Sequence, residues 1–233
     1  MEYSRSELMP GVYLSHLRSD KFKTACMSVN LLTQLRRETA AMNALIPAVL
    51  RRGTTRYPDM EQLSKRLDEL YGAAIEPVIR RVGEVHCFGF FASFPEPAFL
   101  PGGEALLGEM SALMAEMLLS PNTRGGLLLP QYVDSEKEKL LDLIRSAVNE
   151  KRSYAVQRCI EEMCCYEDFA VSRFGGEEEA ASIYYTKLTR QYRRLLQSSP
   201  VEIFYCGRAG EGELREALRE ALATLPRDRK SVV

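Results

Sequence analysis

The order of the predicted strands and helices indicates an α+β fold, a two-layer domain in which an antiparallel sheet carries helices packed on one face. Two pairs of strand-like segments place apolar residues at every second position, and segments with helical periodicity follow each pair. The 233 residues, of which 45% are hydrophobic, are enough to build the core of such a domain.

The first predicted elements are two strands and a helix. Residues 12–18 and 25–31 show the period-two pattern of strands, and Ser19-Asp20 between them favours a hairpin. Residues 38–52 are rich in Ala, Leu and Met and predict a helix. Pro47 lies inside it, where it removes one backbone hydrogen bond and predicts a kink.

The middle of the chain predicts a capped helix, a hairpin and a second helix. Asp59 precedes Gln62 by the three residues of a capping box, so we expect a helix to begin there. Residues 74–81 and 84–93 predict two strands around a turn at Gly83. Further predicted elements are a helix over 103–119, a loop over 121–126, a helical region over 134–165 that is continuous or broken, a helix over 183–197, a strand over 201–205 and a helix over 211–225.

Basic and acidic residues nearly cancel, because 31 Lys and Arg stand against 32 Asp and Glu and leave a formal net charge of −1. This balance gives no support for binding nucleic acid or anionic lipid. No apolar run reaches the ~20 residues of a membrane helix, and the N-terminal residues lack the layout of a signal peptide. We therefore expect a cytoplasmic protein with neither a nucleic-acid nor a membrane partner, and with six free cysteines.

The motifs of common cofactor and catalytic sites are missing from the sequence. No glycine-rich loop has phosphate-binding spacing, and there is no G-x-S-x-G elbow. Cys159, Cys164 and Cys165 lack the second pair that a four-ligand zinc site needs. The two histidines, His16 and His86, lie in separate predicted strands, where a structural role is the more common one.

A kinked helix that ends at Gly53-Thr54, followed by Tyr57-Pro58 and an amphipathic helix, resembles one segment of the insulinase/pitrilysin peptidase family. In active members this segment carries the inverted zinc motif H-x-x-E-H. The resemblance implies the N-terminal αβ domain of that family, a LuxS/pitrilysin-like fold. In active members the two histidines and a glutamate further along the chain hold zinc, while the glutamate of the motif polarises the attacking water.

The three motif residues are replaced in this chain. Anchoring on Gly53-Thr54 places Ala44 and Ala48 at the histidine positions and Pro47 at the glutamate position. None of these side chains can bind a metal or accept a proton, and residues 17–85 contain no histidine that a shifted alignment could use. We therefore name no catalytic residue and no metal ligand, and we expect no cofactor, since zinc belongs to active members only.

Further motifs resemble a non-catalytic bacterial subgroup of the family, which is associated with the 5-aminopentanol modification of elongation factor P. These are Asp20-Lys-Phe-Lys-Thr24, Pro47, Leu70-Tyr-Gly-Ala73, Glu150-Lys-Arg-Ser-Tyr-Ala155 and Glu161-Glu-Met163. Arg152 and Tyr154 lie in the fourth motif and are candidates for a functional surface. A role of both in helix packing is the alternative.

The resemblance also bears on domain organisation. Family members normally carry two similar αβ domains, so residues 1–227 are predicted to form the first domain, with the second missing. Residues 228–233, Asp228-Arg-Lys-Ser-Val-Val233, resemble the translation of a sequencing adapter and are predicted to be a non-native tail. A short basic tail is the alternative.

Three functions follow from these observations. The first is a non-catalytic peptidase-like subunit that forms a heterodimer with a catalytic homologue bearing H-x-x-E-H and handles a peptide or protein client, in protein processing or elongation factor P modification. The second is a zinc metalloendopeptidase, against which the missing ligands argue. The third is a scaffold or binding module without a peptidase partner.

Overall fold

The structure is a computed structural model that describes residues 2–227. The predicted tail at 228–233 lies outside the described residues. The strands are β1 (Glu2–Met9), β2 (Val12–Arg18), β3 (Thr24–Gln34), β4 (Ala74–Val82), β5 (Val85–Pro95), β6 (Thr123–Arg124), β7 (Leu127–Leu128) and β8 (Val201–Gly207). The helices are α1 (Arg37–Leu50), α2 (Met60–Glu69), α3 (Leu107–Leu119), α4 (Pro130–Ser146), α5 (Lys151–Met163), α6 (Glu177–Ala181), α7 (Tyr185–Ser198) and α8 (Glu211–Ala221).

The predicted α+β architecture is confirmed. Six strands form one sheet in the order β1-β2-β8-β3-β5-β4, and β6 and β7 form a small separate hairpin. Along β3 the residues Ala25, Met27 and Val29 are buried in the core, whereas Cys26 and Ser28 on the other face are only partly covered. Helices α1 and α3 both pack against β5, which places the core between the sheet and its helices.

One pair of strands departs from the antiparallel prediction. β8 pairs with β3 in antiparallel and with β2 in parallel orientation. Val201 and Ile203 of β8 are fully buried, so this strand takes a central position with a neighbour on each side. The parallel pair is possible because β8 follows β2 only after a long connection that contains three strands of this sheet and most of the helices, which supplies the crossover that parallel strands require.

The hairpin predicted around Ser19-Asp20 is wrong. β2 and β3 are not neighbours, because β8 lies between them. The backbone N–H of Ser19 donates to the carbonyl of Gly207 at 2.8 Å, so the connection joins the end of β8 and closes no two-stranded turn. The period of a strand is a local property, so it cannot show that a strand from the far end of the chain lies between β2 and β3.

β1 is an edge strand that the sequence patterns did not predict. It pairs with β2 in antiparallel register and buries only Leu8, while its other side chains are polar or partly exposed. A strand with so little buried surface shows almost no alternation of apolar and polar residues, so the sequence pattern could not predict it.

The helices largely follow the prediction. The helix expected at Asp59 is α2, and the N–H of Gln62 donates to Asp59 Oδ1 at 2.9 Å. The helical region over 134–165 is broken at Glu150 into α4 and α5, with a 3₁₀ turn over Ala147–Asn149. Within residues 2–227 we find no helix of the length and apolarity that a bilayer crossing needs.

Candidate functional site

Helix α1, which contains all three replaced motif positions, lies inside the protein. It contacts α3, α4, α6 and α7 as well as β4 and β5. Ala44 is 3% exposed, Pro47 is buried and Ala48 is partly covered. A helix that is apolar all round belongs in such a position. Two of the three motif positions, Ala44 and Pro47, are therefore closed by packing, while Ala48 is partly open.

Pro47 leaves one backbone acceptor of α1 without its helical partner. Helix α1 runs through Pro47 and continues to Leu50. Because proline has no N–H, the carbonyl of Asn43 four residues earlier receives no hydrogen bond along the helix. The same residue, Asn43, also carries the polar side chain that α1 places in the core.

Asn43 joins two further side chains in what we call the Asn43 cluster, formed by Asn43, His86 and Gln191. Gln191 Nε2 donates to Asn43 Oδ1 at 2.9 Å, and Asn43 Nδ2 lies 3.5 Å from His86 Nδ1. The three residues come from α7, α1 and β5. The cluster fixes the orientation of α1 against the sheet and against α7, since each amide in it satisfies its neighbour.

Burial lowers the pKa of His86 to about 4, an effect that the nearby backbone of Arg173 partly opposes. The imidazole, which is 0% exposed, is therefore neutral at pH 7 and its Nδ1 accepts from Asn43. His86 Nε2 has no hydrogen-bond partner in the described chain. With no carboxylate bonded to it, the ring lacks the partner that a catalytic relay uses to orient and charge a histidine.

The two histidines cannot act together. His16 lies on β2, where its Nε2 is 3.1 Å from the carbonyl oxygen of Ala209. β8 and β3 lie between β2 and β5 in the sheet, which separates the two rings by about 14 Å or more. Within residues 2–227 no group of three or more His, Cys, Asp or Glu side chains could hold a metal ion.

A loop closes the N-terminal half of α1. Gly175 has φ +73°, and a Cβ there would lie 2.6 Å from the backbone nitrogen of Ala41. Arg81 holds this loop in place, because its guanidinium donates to the carbonyl of Phe169 at 2.6 Å and lies over the ring of Phe169 at 4.5 Å. Gln34 adds a hydrogen bond to Asp168 at 2.9 Å.

The Gly53-Thr54 and Tyr57-Pro58 motif forms the turn that ends this region. A Cβ on Gly53 would overlap the carbonyl of Pro58, so only glycine allows the close approach. Thr54 Oγ1 donates to Glu116 at 2.6 Å and accepts from the N–H of Tyr57 at 2.9 Å. The Glu116 carboxylate is therefore used by the turn.

Glu136, the second carboxylate near the C-terminal end of α1, is also paired within the fold. Glu136 on α4 forms salt bridges with Arg52 at 3.2 Å and Lys139 at 2.7 Å. The guanidinium of Arg52 also lies 5.1 Å from the centre of the Tyr132 ring. These groups join the end of α1 to α4.

Arg152 and Tyr154 lie apart from the Asn43 cluster. Both are on α5, whose side chains are nowhere fully buried, and Tyr154 is 39% exposed. Helix α5 contacts mainly the 3₁₀ turns over Ala147–Asn149 and Asp168–Ala170. The proposed surface role of both residues stays a prediction. The Asn43 cluster was missed from the sequence, although an asparagine four residues before a helical proline was the available signal.

The fold and the site together define a class of protein: a peptidase-like αβ domain whose motif helix is buried and without ligands. Comparison with models of protein families gives no match. Among curated proteins, the chain is 28% identical over 214 residues to "Probable inactive metalloprotease YmfF" of Bacillus subtilis (strain 168), a match that covers 92% of this chain and 50% of that protein.

Solved structures agree with this relative. A conserved protein from Enterococcus faecalis V583 matches with a TM-score of 0.89 at 27% identity, covering 97% of this chain and 53% of that chain. The peptidase M16 inactive domain from Pseudomonas fluorescens matches with a TM-score of 0.73 at 10% identity, over 98% of this chain and 52% of that one, and shows the fold. The resemblance to the insulinase/pitrilysin peptidases, family M16, is confirmed, and the chain is similar to inactive members. It spans about half the length of these relatives.

Proposed function

We propose that this chain is a non-catalytic peptidase-like subunit that acts together with a separate catalytic homologue bearing H-x-x-E-H. The observation that carries the proposal is helix α1. It keeps the turn at Gly53-Thr54, while Ala44 and Pro47 at the motif positions are buried in the core. A fold that is retained without its metal ligands supports a role in forming a binding surface, while the catalytic homologue supplies the zinc chemistry.

The packing around α1 supports the proposal that this chain does not bind catalytic zinc. The carboxylates of Glu116 and Glu136 already bind Thr54 and Arg52, so they are committed to the fold. A histidine in place of Ala44 or a glutamate in place of Pro47 would have to displace close-packed side chains. The relative's name, which calls it inactive, agrees with this argument.

A partner follows from the same reasoning. If a client peptide is to be cleaved, the zinc and its ligands must come from another chain, and the partner is therefore a homologue with an intact motif. The chain matches about half of each relative, which is consistent with a unit that works as one half of a larger assembly. The heterodimer and its peptide or protein client are part of the proposal.

The process and the compartment are also proposals. The motifs shared with the non-catalytic bacterial subgroup favour a role in protein processing or in elongation factor P modification. The proposed site of action is the cytoplasm. The charge balance, with 31 basic and 32 acidic residues, gives no support for nucleic acid or an anionic membrane as a partner.

The deciding experiment measures zinc and hydrolysis in the purified chain and in its complex. We expect substoichiometric zinc by mass spectrometry of the metal, no peptide hydrolysis by the chain alone, and hydrolysis when an H-x-x-E-H homologue recovered by pull-down is added. Stoichiometric zinc or hydrolysis by the chain alone would show a zinc metalloendopeptidase. Recovery of modification enzymes without such a homologue would show a scaffold module.

The link to elongation factor P has its own test. Deletion of the gene should change the intact mass of elongation factor P, measured by mass spectrometry, by the mass of a modification group. Complementation with the wild-type gene should restore the original mass. An unchanged mass in the deletion strain contradicts this part of the proposal and leaves the subunit role to the zinc experiment.

A further inference from the structure

A cavity of about 250 Å³, here called the Glu96 cavity, lies where β5 and β8 end and α3 and α8 begin. This is the end of β5 opposite to His86 of the Asn43 cluster. Its walls are mostly apolar and include Phe94, Leu107 and the ring of Tyr205. Three charged side chains also line it, those of Glu96, Arg208 and Glu213. An apolar pocket with a few convergent polar groups has the composition of a ligand site.

The carboxylate of Glu96 is the central polar group of this cavity. Glu96 is 3% exposed, and its Oε1 accepts from the backbone N–H of Arg208 at 2.7 Å. Its Oε2 receives no hydrogen bond from residues 2–227 and keeps accessible surface, so it is open to the cavity. A buried carboxylate normally has a cationic partner or several donors, because leaving its charge uncompensated is costly.

The guanidinium of Arg208 does not supply that partner. It donates to the carbonyl of Asp20 at 2.7 Å and lies 5.3 Å from the centre of the Phe99 ring. Among the described residues, no Lys, Arg or His side chain forms a salt bridge with Glu96. The negative charge of Glu96 therefore faces the cavity without a counter-charge in contact.

Two further features of the surroundings bear on the Glu96 carboxylate. Burial and then the Glu96 charge raise the pKa of Tyr205, so its phenol stays neutral at pH 7. Gly207 lets the two meet, because a Cβ there would overlap both the Tyr205 hydroxyl and Glu96 Oε1. Glu211 and Glu213 lie in the first turn of α8 and offset the positive end of its dipole.

We propose that the Glu96 cavity binds the ammonium group of a primary alkylamine, with Glu96 Oε2 as its acceptor inside the cavity and Glu213 at the rim. The alkyl chain lies against Phe94, Leu107 and Tyr205. Such a group belongs either to a free amine or to a lysine side chain of a peptide. A groove of about 610 Å³ between α3 and α8, which shares Ala105 with the cavity and is lined by Glu220, leaves room for a peptide. The proposal does not rest on the subunit role.

The test is an NMR titration of the full chain at pH 7 with n-butylamine, using n-butanol as the neutral control. We expect butylammonium to shift the resonances of Leu107, Ala98 and Ala209 saturably, and butanol to bind at least about tenfold more weakly, since a charge-assisted hydrogen bond is lost. Nα-acetyl-lysine methylamide separates the sources: binding as tight as butylammonium indicates a peptide lysine, and weaker binding indicates a free amine.

Two variants locate the acceptor. Glu96→Gln keeps the oxygen that accepts from Arg208 but loses the charge, and should weaken butylammonium binding about tenfold. Glu216→Gln removes the same charge from an exposed position on α8 and should change nothing. If Glu96→Gln fails to fold, Glu213→Gln takes its place and should bind more weakly than Glu216→Gln. Equal binding by the folded variant and its control, equal binding of butanol, or shifts away from the cavity overturns the proposal.

Discussion

At the residue scale, Ala44 shows how completely the motif helix has lost its chemistry. Its side chain is 3% exposed and lies among buried neighbours of α1. Neighbouring side chains therefore fill the space of the histidine that Ala44 replaces, and restoring it would meet the close packing of a protein interior.

The substitution Ala44→His should lower the free energy of unfolding by about 2–4 kcal/mol, because it overpacks the core and buries a polar ring. Urea unfolding of the two proteins measures the difference. Ala48→His is the matched control, since Ala48 is only partly covered, and it should cost less. Equal losses would mean that the packing around α1 is looser than the structure shows.

His86 makes the stability of the folded protein depend on pH. Its folded pKa of about 4 lies below the ordinary value of 6.5, so the unfolded chain binds the extra proton first as the pH falls. Stability is therefore complete above pH 6.5 and falls between pH 6.5 and 4. The shift corresponds to about 3 kcal/mol at most.

Denaturant unfolding at several pH values tests this. His86→Gln should flatten the loss of stability between pH 6.5 and 4, whereas His16→Gln, which removes the other histidine, should keep it. A wild-type slope that persists in His86→Gln would assign the acid dependence to other groups.

At the scale of elements, the loop around Gly175 decides how α1 is enclosed. Its positive φ and its contact with Ala41 exclude a Cβ, while Arg81 holds the loop from β4. The loop, α4 and α7 thus cover a helix whose sequence alone would fit several environments.

Gly175→Ala should destabilise the protein by more than Gly125→Ala. Both residues have positive φ, at +73° and +60°, so both lose about 1–2 kcal/mol from backbone strain. Only at Gly175 does the added Cβ also meet Ala41, whereas nothing lies within 4 Å at Gly125. Thermal and urea unfolding of the pair measure the difference, and equal effects would argue against the contact.

At the scale of the whole molecule, β8 links the C-terminal part of the described chain to its N-terminal part, because it pairs with β2. It lies between β2 and β3, so the sheet has no continuous ladder until residues 201–207 arrive. Strand pairs between residues so far apart in the sequence form slowly, because a long loop must close first.

Deletion of residues 199–233 should therefore abolish cooperative unfolding of everything that remains, because β2 and β3 each lose a neighbour. Circular dichroism with temperature measures the transition. A cooperative transition in the deletion variant would show that β3, β4 and β5 form an independent unit with the helices.

Local patterns predicted most of the elements. Period-two alternation found β2, β3, β4, β5 and β8, and the N-cap at Asp59 with its partner Gln62 fixed the start of α2. They missed β1, which buries only Leu8, and they wrongly joined β2 to β3. An edge strand has little hydrophobic signal, and the order of strands is a long-range property.

The sequence by itself determined the absence of H-x-x-E-H, since identity alone shows that Ala44, Pro47 and Ala48 cannot hold zinc or a proton. It also determined the α+β class, because the period of apolar residues depends on local geometry. Only the tertiary structure decided the place of β8, the Asn43 cluster and the Glu96 cavity. Each of these brings together residues distant in the chain, and burial, which sets their charge and their partners, exists only once the chain has packed.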